Sequence, residues 1–185
     1  MTAYSNKFPT DISPLNPNGF TFQVDRLPDT TFFVQSVNLP GINLGEFNQA
    51  TPLVANPIPG EIITYQELVV EFQVDAQMVN WKAIHDWMIG LGFPQKHEQY
   101  LSYLTSDEKA KISEISQNYS DSTLVVLSGQ NRPVKTFTFV DCFPISLEPI
   151  QFEAKMQDVM MVSTRATFKY AYYNICLLYT SDAAD

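Results

Sequence analysis

The side chains that could do chemistry here are few, and their spacing decides what they can do. The only histidines are His85 and His97. A metal site would need His or Cys partners at ligand spacing, and neither histidine has them. His85 falls beside Trp81 and Met88 at helical spacing, so a packing role outweighs ligation. His97, in Lys96-His97-Glu98, reads as a solvated loop residue. Cys142 follows Asp141 in an alternating segment with no histidine nearby to activate it as a nucleophile. Glu148, Glu153 and Asp158 have the residue types of paired glycosidase acids, but a solvated connector accounts for them. Trp81 and Trp87 could stack nucleic-acid bases; at helical spacing, core or interface packing accounts for them better. No G-x-S-x-G, phosphate-binding loop or G-x-G-x-x-G occurs. The sequence thus offers no catalytic, cofactor-binding or metal site, and no enzyme is expected.

Bulk properties point the same way. The chain has 185 residues, 45% hydrophobic and 17% charged, which suits one domain with a real core. Thirteen Phe and nine Tyr favour β structure. No apolar run reaches the roughly 18 residues of a membrane helix, and the N-terminus lacks a signal-peptide pattern, so a soluble protein made in a cytoplasm is expected. A net charge of −9 argues against tight wrapping of nucleic acid, because phosphate contacts need Lys and Arg.

The last ten residues, CLLYTSDAAD, stand apart. They are the translation of TGT CTC TTA TAC ACA TCT GAC GCT GCC GAC, the reverse-strand reading of a common transposase sequencing adapter. Cys176–Asp185 are therefore expected to be a disordered, dispensable read-through. The native part would carry −7 and a single cysteine, Cys142, as in a reducing compartment.

Residues 1–18, spaced by Pro9, Pro14 and Pro17, read as an extended arm. GFTFQVD (19–25) and TFFVQSVN (31–38) alternate with period two, as a pair of strands in a hairpin. Residues 39–61 carry Pro40, Gly41, Gly45, Pro52, Pro57, Pro59 and Gly60, too many breakers for a strand interior, so a long loop is expected. ELVVEFQV (67–74) is the clearest strand. A helix capped by Asp75 follows, with Met78, Trp81, Ile84/His85, Met88 and Leu91 as its apolar stripe and Gly90, Gly92 and Pro94 at its end. Residues 95–120 read as an insertion with a short second helix, DEKAKISEIS. Strands are expected at 122–128, at 135–142 up to a break at Pro144, and as one final run at 159–175. The expected domain, 19–175, is mainly β (α+β).

At this point NGFTFQV…TTFFVQSVNLPG, the Pro/Gly-rich segment, a strand ending in an acid and a Trp-bearing helix resemble the tail tube proteins of contractile-tailed, T-even-like bacteriophages. KTFTFVDCFPISLEPIQFE…STRATFKYAYYNI is similar to that family's last strands. The resemblance also extends to type VI secretion tube proteins. It implies a β-sandwich or partial barrel of antiparallel strands with one flanking helix and a helical insertion. It implies stacked hexameric rings forming a conduit through which DNA passes without specific binding. Sheath or baseplate proteins would be the partners, and the virion tail, assembled in the host cytoplasm, the location. The insertion at 95–120 leaves the main tube, an initiator and a baseplate junction open. Two alternatives stand beside this: the tube of a bacterial contractile injection or type VI apparatus, and a monomeric β-barrel with a closed ligand cavity.

The loop at 39–61 is the expected subunit interface. Ile42, Leu44, Phe47, Leu53, Val54 and Ile58 would form an exposed apolar patch there, and such patches mark interaction sites.

Overall fold

The computed structural model describes residues 15, 17–28, 33–50, 54–92, 118–152 and 161–177. The arm before Leu15, Leu53, His97, the predicted second helix and most of the insertion lie outside them. So do Glu153 and Asp158, the start of the last predicted strand, and residues beyond Leu177.

Among the described residues nine strands and one helix succeed one another: β1 Phe20–Val24, β2 Val34–Val37, β3 Ile42–Gln49, β4 Asn56–Tyr65, β5 Leu68–Gln73, α1 Val79–Gly92, β6 Ser120–Leu127, β7 Pro133–Leu147, β8 Ser163–Lys169 and β9 Tyr172–Leu177. Seven of the strands form one antiparallel sheet in the order β1-β6-β7-β8-β5-β2, with β9 also on β7; β3 and β4 form a separate pair. The mainly-β, antiparallel reading with one flanking helix stands.

The sheet curls on itself. Phe22 and Val24 of β1 line the same interior space as Phe72 of β5 and Phe168 of β8, although β1 and β5 are far apart in strand order. The bend is in β7. Its first part pairs with β6 and β9, and its last part, from Phe143, pairs with β8. Asp141, at the changeover, has φ of 55° and donates its N–H to Asp121 Oδ1 at 3.2 Å. A left-handed residue inside a strand produces the local turn of a bulge. Pro144 therefore does not break the strand, as the sequence suggested: it pairs opposite Phe168 beside a second register shift.

The core follows the alternation. Leu68, Val70 and Phe72 are buried while Val69, Glu71 and Gln73 are less so. Thr164, Ala166 and Phe168 face inward from β8. The final predicted strand is two, parted at Tyr170-Ala171.

The other corrections have local causes. Strands β1 and β2 are not a hairpin: Phe20 pairs with Val126, and Val34 with Phe72. The nine residues between them are too many for a tight turn, so each strand finds a distant partner. Asp75 does cap the helix, accepting from Val79 N at 2.8 Å. The fully buried residues of α1 are Asn80, Ile84, Trp87 and Gly90; of the predicted stripe Ile84 is among them and Met88 and Leu91 pack partly buried against the core, while His85 is exposed. Asn80 takes a core position because it satisfies backbone there. Its Nδ2 donates to Gln73 O at 2.7 Å and its Oδ1 accepts from Trp81 N at 2.8 Å. Trp87, fully buried against Phe168, is the core tryptophan; Trp81 is half-buried and stacks on the exposed His85 at 5.2 Å. At the C-terminus, Cys176 and Leu177 pair with Thr136 and Lys135, so the first two residues of the segment set apart above continue β9.

Candidate functional site: an apolar β-ribbon

Residues 39–61, expected to be a loop, are for the most part a β-ribbon. Ile42 pairs with Tyr65, Leu44 with Ile63, Phe47 with Ile58 and Gln49 with Asn56. Breakers are tolerated because a two-stranded ribbon has two free edges. A proline there can turn its missing N–H outward without losing a ladder bond, which suits Pro57 and Pro59 opposite Asn48 and Glu46. Glycine serves a different end. The register shifts between Leu44 and Glu46, and there a Cβ on Gly60 would lie 2.7 Å from the Gly45 carbonyl oxygen. Only glycine allows the two backbones to pass so closely.

Apolar side chains cover the ribbon and face water. Ile42, Leu44 and Phe47 are each more than half exposed, as are Ile62 and Ile63. Val54 is 71% exposed, and Ile58 is partly buried. The structure thus places Ile42, Leu44, Phe47 and Ile58 on one ribbon with Val54 just before β4. Leu53 lies outside the described residues. Ile62 and Ile63 were missed because the strand reading stopped at the prolines, although EIITY alternates with β-branched residues.

At its base the ribbon continues the main sheet. β2 runs on into β3 and β4 into β5, so the two arms form one long ladder interrupted at 38–41 and 66–67. Side chains fill the gap. Asn38 Oδ1 accepts from Val69 N at 2.6 Å, Asn38 Nδ2 donates to Glu67 O at 3.1 Å, and Gln66 Oε1 accepts from Gly41 N at 3.3 Å. Tyr65 packs against Tyr170 and Tyr173, whose rings lie against the fully buried Phe139. The Tyr170 hydroxyl donates to Gln66 O at 2.9 Å. Burial, reinforced by Tyr173 and Tyr65, pushes the Tyr170 hydroxyl well above the usual phenol range, so it stays a donor at any ordinary pH.

The remaining candidates offer less. Burial pushes the Cys142 thiol up to about 11, so no thiolate nucleophile forms near neutrality. Among the described residues no three His, Cys, Asp or Glu side chains gather to hold a metal, and no helix is long and apolar enough to cross a membrane. The core space between β1, β5, β8 and α1 is about 10 Å³, below what a ligand needs. On the sheet face opposite that core, Arg165 pairs with Glu71 at 3.5 Å and Lys169 with Glu67 at 3.8 Å.

Comparison with known proteins agrees with this architecture. The chain is 26% identical over 172 residues to the tail tube terminator protein of Enterobacteria phage T4, covering 86% of this chain and 88% of that one. Its fold is similar to that of the tube-terminating cap of the anti-feeding prophage, with a TM-score of 0.60 at 13% identity over 95% of this chain and 99% of that one. It is also similar to a chain in the sheath–tube complex of an extracellular contractile injection system, with a TM-score of 0.55 at 13% identity over 89% and 93%. The family model for phage tail tube proteins matches residues 3–176, and with nearly the whole chain inside that match, the protein belongs to the phage tail tube protein family, a structural component of the tail.

Proposed function

We propose that this chain forms the ring that terminates a phage tail tube, a hexamer through which DNA passes without specific binding. The observation that carries the reading is the ribbon β3–β4, which presents a row of apolar side chains to water. A lone domain gains nothing from that exposure, whereas a ring of copies would bury it. Among the described residues β1, β2 and β9 pair along one edge only, and closure into a ring would give their other edges partners. The likeness to a phage tube terminator over most of both chains supports the terminal position over the body of the tube.

The sheet face carrying the Arg165–Glu71 and Lys169–Glu67 pairs is the proposed wall of the conduit. It is charge-balanced rather than uniformly acidic, and its cations are engaged by carboxylates instead of being free for phosphate. Among the described residues the space enclosed by the core, about 10 Å³, is too small for the closed ligand cavity that a monomeric barrel would need, which favours the tube reading. Sheath or baseplate proteins of the tail are the proposed partners, and the virion tail, assembled in the host cytoplasm, the proposed location.

Negative-stain microscopy of the purified protein is the test. Single rings that do not stack on themselves but cap preformed tubes are expected. Rings that stack without limit would move the protein into the tube body, and a chain that stays monomeric at high concentration would overturn the reading. A tube subunit of a bacterial contractile injection system is the second reading, favoured by the fold likeness to such a sheath–tube complex. Neighbouring genes separate the two: capsid and terminase genes against secretion ATPase genes.

A further inference from the structure

We infer that Tyr65, Tyr170 and Tyr173, with Asn38 and Gln66, are positioning residues that fix the direction of the β3–β4 ribbon before any partner arrives. The inference rests on the ribbon being the contact element proposed above.

The argument starts from a mechanical weak point. A two-stranded ribbon joined to a sheet through continuous ladders would inherit its direction from the sheet. Here both ladders are interrupted, by four residues on one arm and two on the other, at the same level. Pro40 and Gly41 lie in the longer break. Backbone pairing across the break is reduced to two bonds, Asn38 N–H to Val69 O at 3.2 Å and Gln66 N–H to Gly41 O at 3.0 Å. Three kinds of contact cross it. Asn38 keeps one ladder bond through its backbone N–H to Val69 O and adds two through its side chain, to Val69 N and Glu67 O. Gln66 does the same toward Gly41, accepting from its N–H and donating its own N–H to Gly41 O at 3.0 Å. A Cβ on Gly41 would sit 2.9 Å from Gln66 Oε1, so a side chain there would push the Gln66 amide off this bond.

The third contact determines angle. Tyr65 is the last residue of β4 and belongs to the ribbon, whereas Tyr170 and Tyr173 flank the β8–β9 turn and belong to the body. Ring centroids lie 5.8 and 5.5 Å apart at inclinations of 56° and 64°, within the range of favourable edge-on aromatic pairs. Tyr170 and Tyr173 are backed by Phe139, at 5.0 and 5.6 Å, so the body side of the clamp is seated in the core. The Tyr170 hydroxyl reaches back across the joint to Gln66 O. Rings packed beside the joint resist swinging, and the hydroxyl bond holds the break between β4 and β5.

A ribbon aimed in advance loses less freedom on docking. If only a fraction of chains holds the productive direction, the apparent dissociation constant rises by the inverse of that fraction.

Spin labels at Asn48→Cys on the ribbon and Gln130→Cys on the body, in full-length protein carrying Cys176→Ser, give the distance distribution between them. Sedimentation velocity gives the concentration at which rings form. Tyr65→Ala and the milder Tyr170→Phe are expected to broaden the distribution and raise the ring-forming concentration by about tenfold or more, as when roughly one chain in ten is correctly aimed. Tyr65→Phe, which keeps the ring, should match the parent in both. The inference is overturned if Tyr65→Ala and Tyr170→Phe keep the parent's narrow distribution, or if they broaden it without changing ring formation. A parent chain that forms no rings defeats the proposed function instead, and the width of the distribution then still decides whether the tyrosines aim the ribbon.

Discussion

Two tryptophans six residues apart have opposite roles, and the difference lies in which side of α1 each faces. Trp87 is fully buried, tilted against Phe168 and overlain by the Arg26 guanidinium at 5.6 Å. Trp81 is only half-buried, its Nε1 enclosed and His85 stacked on its ring, and Lys82 pairs with Asp86 one turn along. Trp87→Ala is expected to cost about 3–5 kcal/mol, the usual range for emptying a large aromatic core site, and Trp81→Ala about 1 kcal/mol. Denaturant unfolding of the two variants side by side measures this, and equal losses would refute the assignment of faces. The sequence could not separate them, because hydrophobicity alone gave Asn80 no claim to the interior. Its buried place comes from bonds to Gln73 O and Trp81 N, a backbone need that leaves no periodic signal.

Among elements, the β3–β4 ribbon invites the sharpest test. Ile42→Ser with Phe47→Ser removes two exposed apolar side chains from its middle and base. The monomer should melt within about 1 kcal/mol of the parent, as for surface positions, while rings disappear from micrographs and from sedimentation. Unfolding of the monomer would show that these side chains cover its own core. The patch residues were legible before the structure because Ile, Leu and Phe amid prolines are conspicuous. Their strand pairing was not. Pro57 and Pro59 argue against a strand only where both edges must be bonded, and the freedom of a two-edged ribbon is a tertiary fact. β5 was read correctly because its period-two pattern has no breaker within it. β7 was cut short at Pro144 because the bend at Asp141, which carries the strand into its second set of partners, depends on Asp121 across the sheet.

For the whole molecule, the C-terminal end gives a graded expectation. Backbone pairing is indifferent to side chains, so Cys176 and Leu177 can extend β9 whether or not they are native. A chain ended after Leu177 should therefore unfold at the same denaturant concentration as the full one. A chain ended after Ile175 should lose about 1 kcal/mol with the two pairings. A large loss from the first truncation would mean that residues beyond Leu177 hold the domain together.

The order of strands in the sheet also sets a timetable. Phe20 must wait for Val126 before it has a partner, and β5, paired early with β2, must wait for Phe168 to fill its other edge. The ribbon and the β6–β7 pair can close over short spans, but the sheet is completed only when nearly all of the chain has left the ribosome. Such non-local pairing folds in milliseconds to seconds rather than microseconds. Throughout that interval the sticky ribbon is already written into the nascent chain while the body that aims it is not. With the ribbon in its proposed contact role, copies growing side by side on one message would meet through it before β8 arrives.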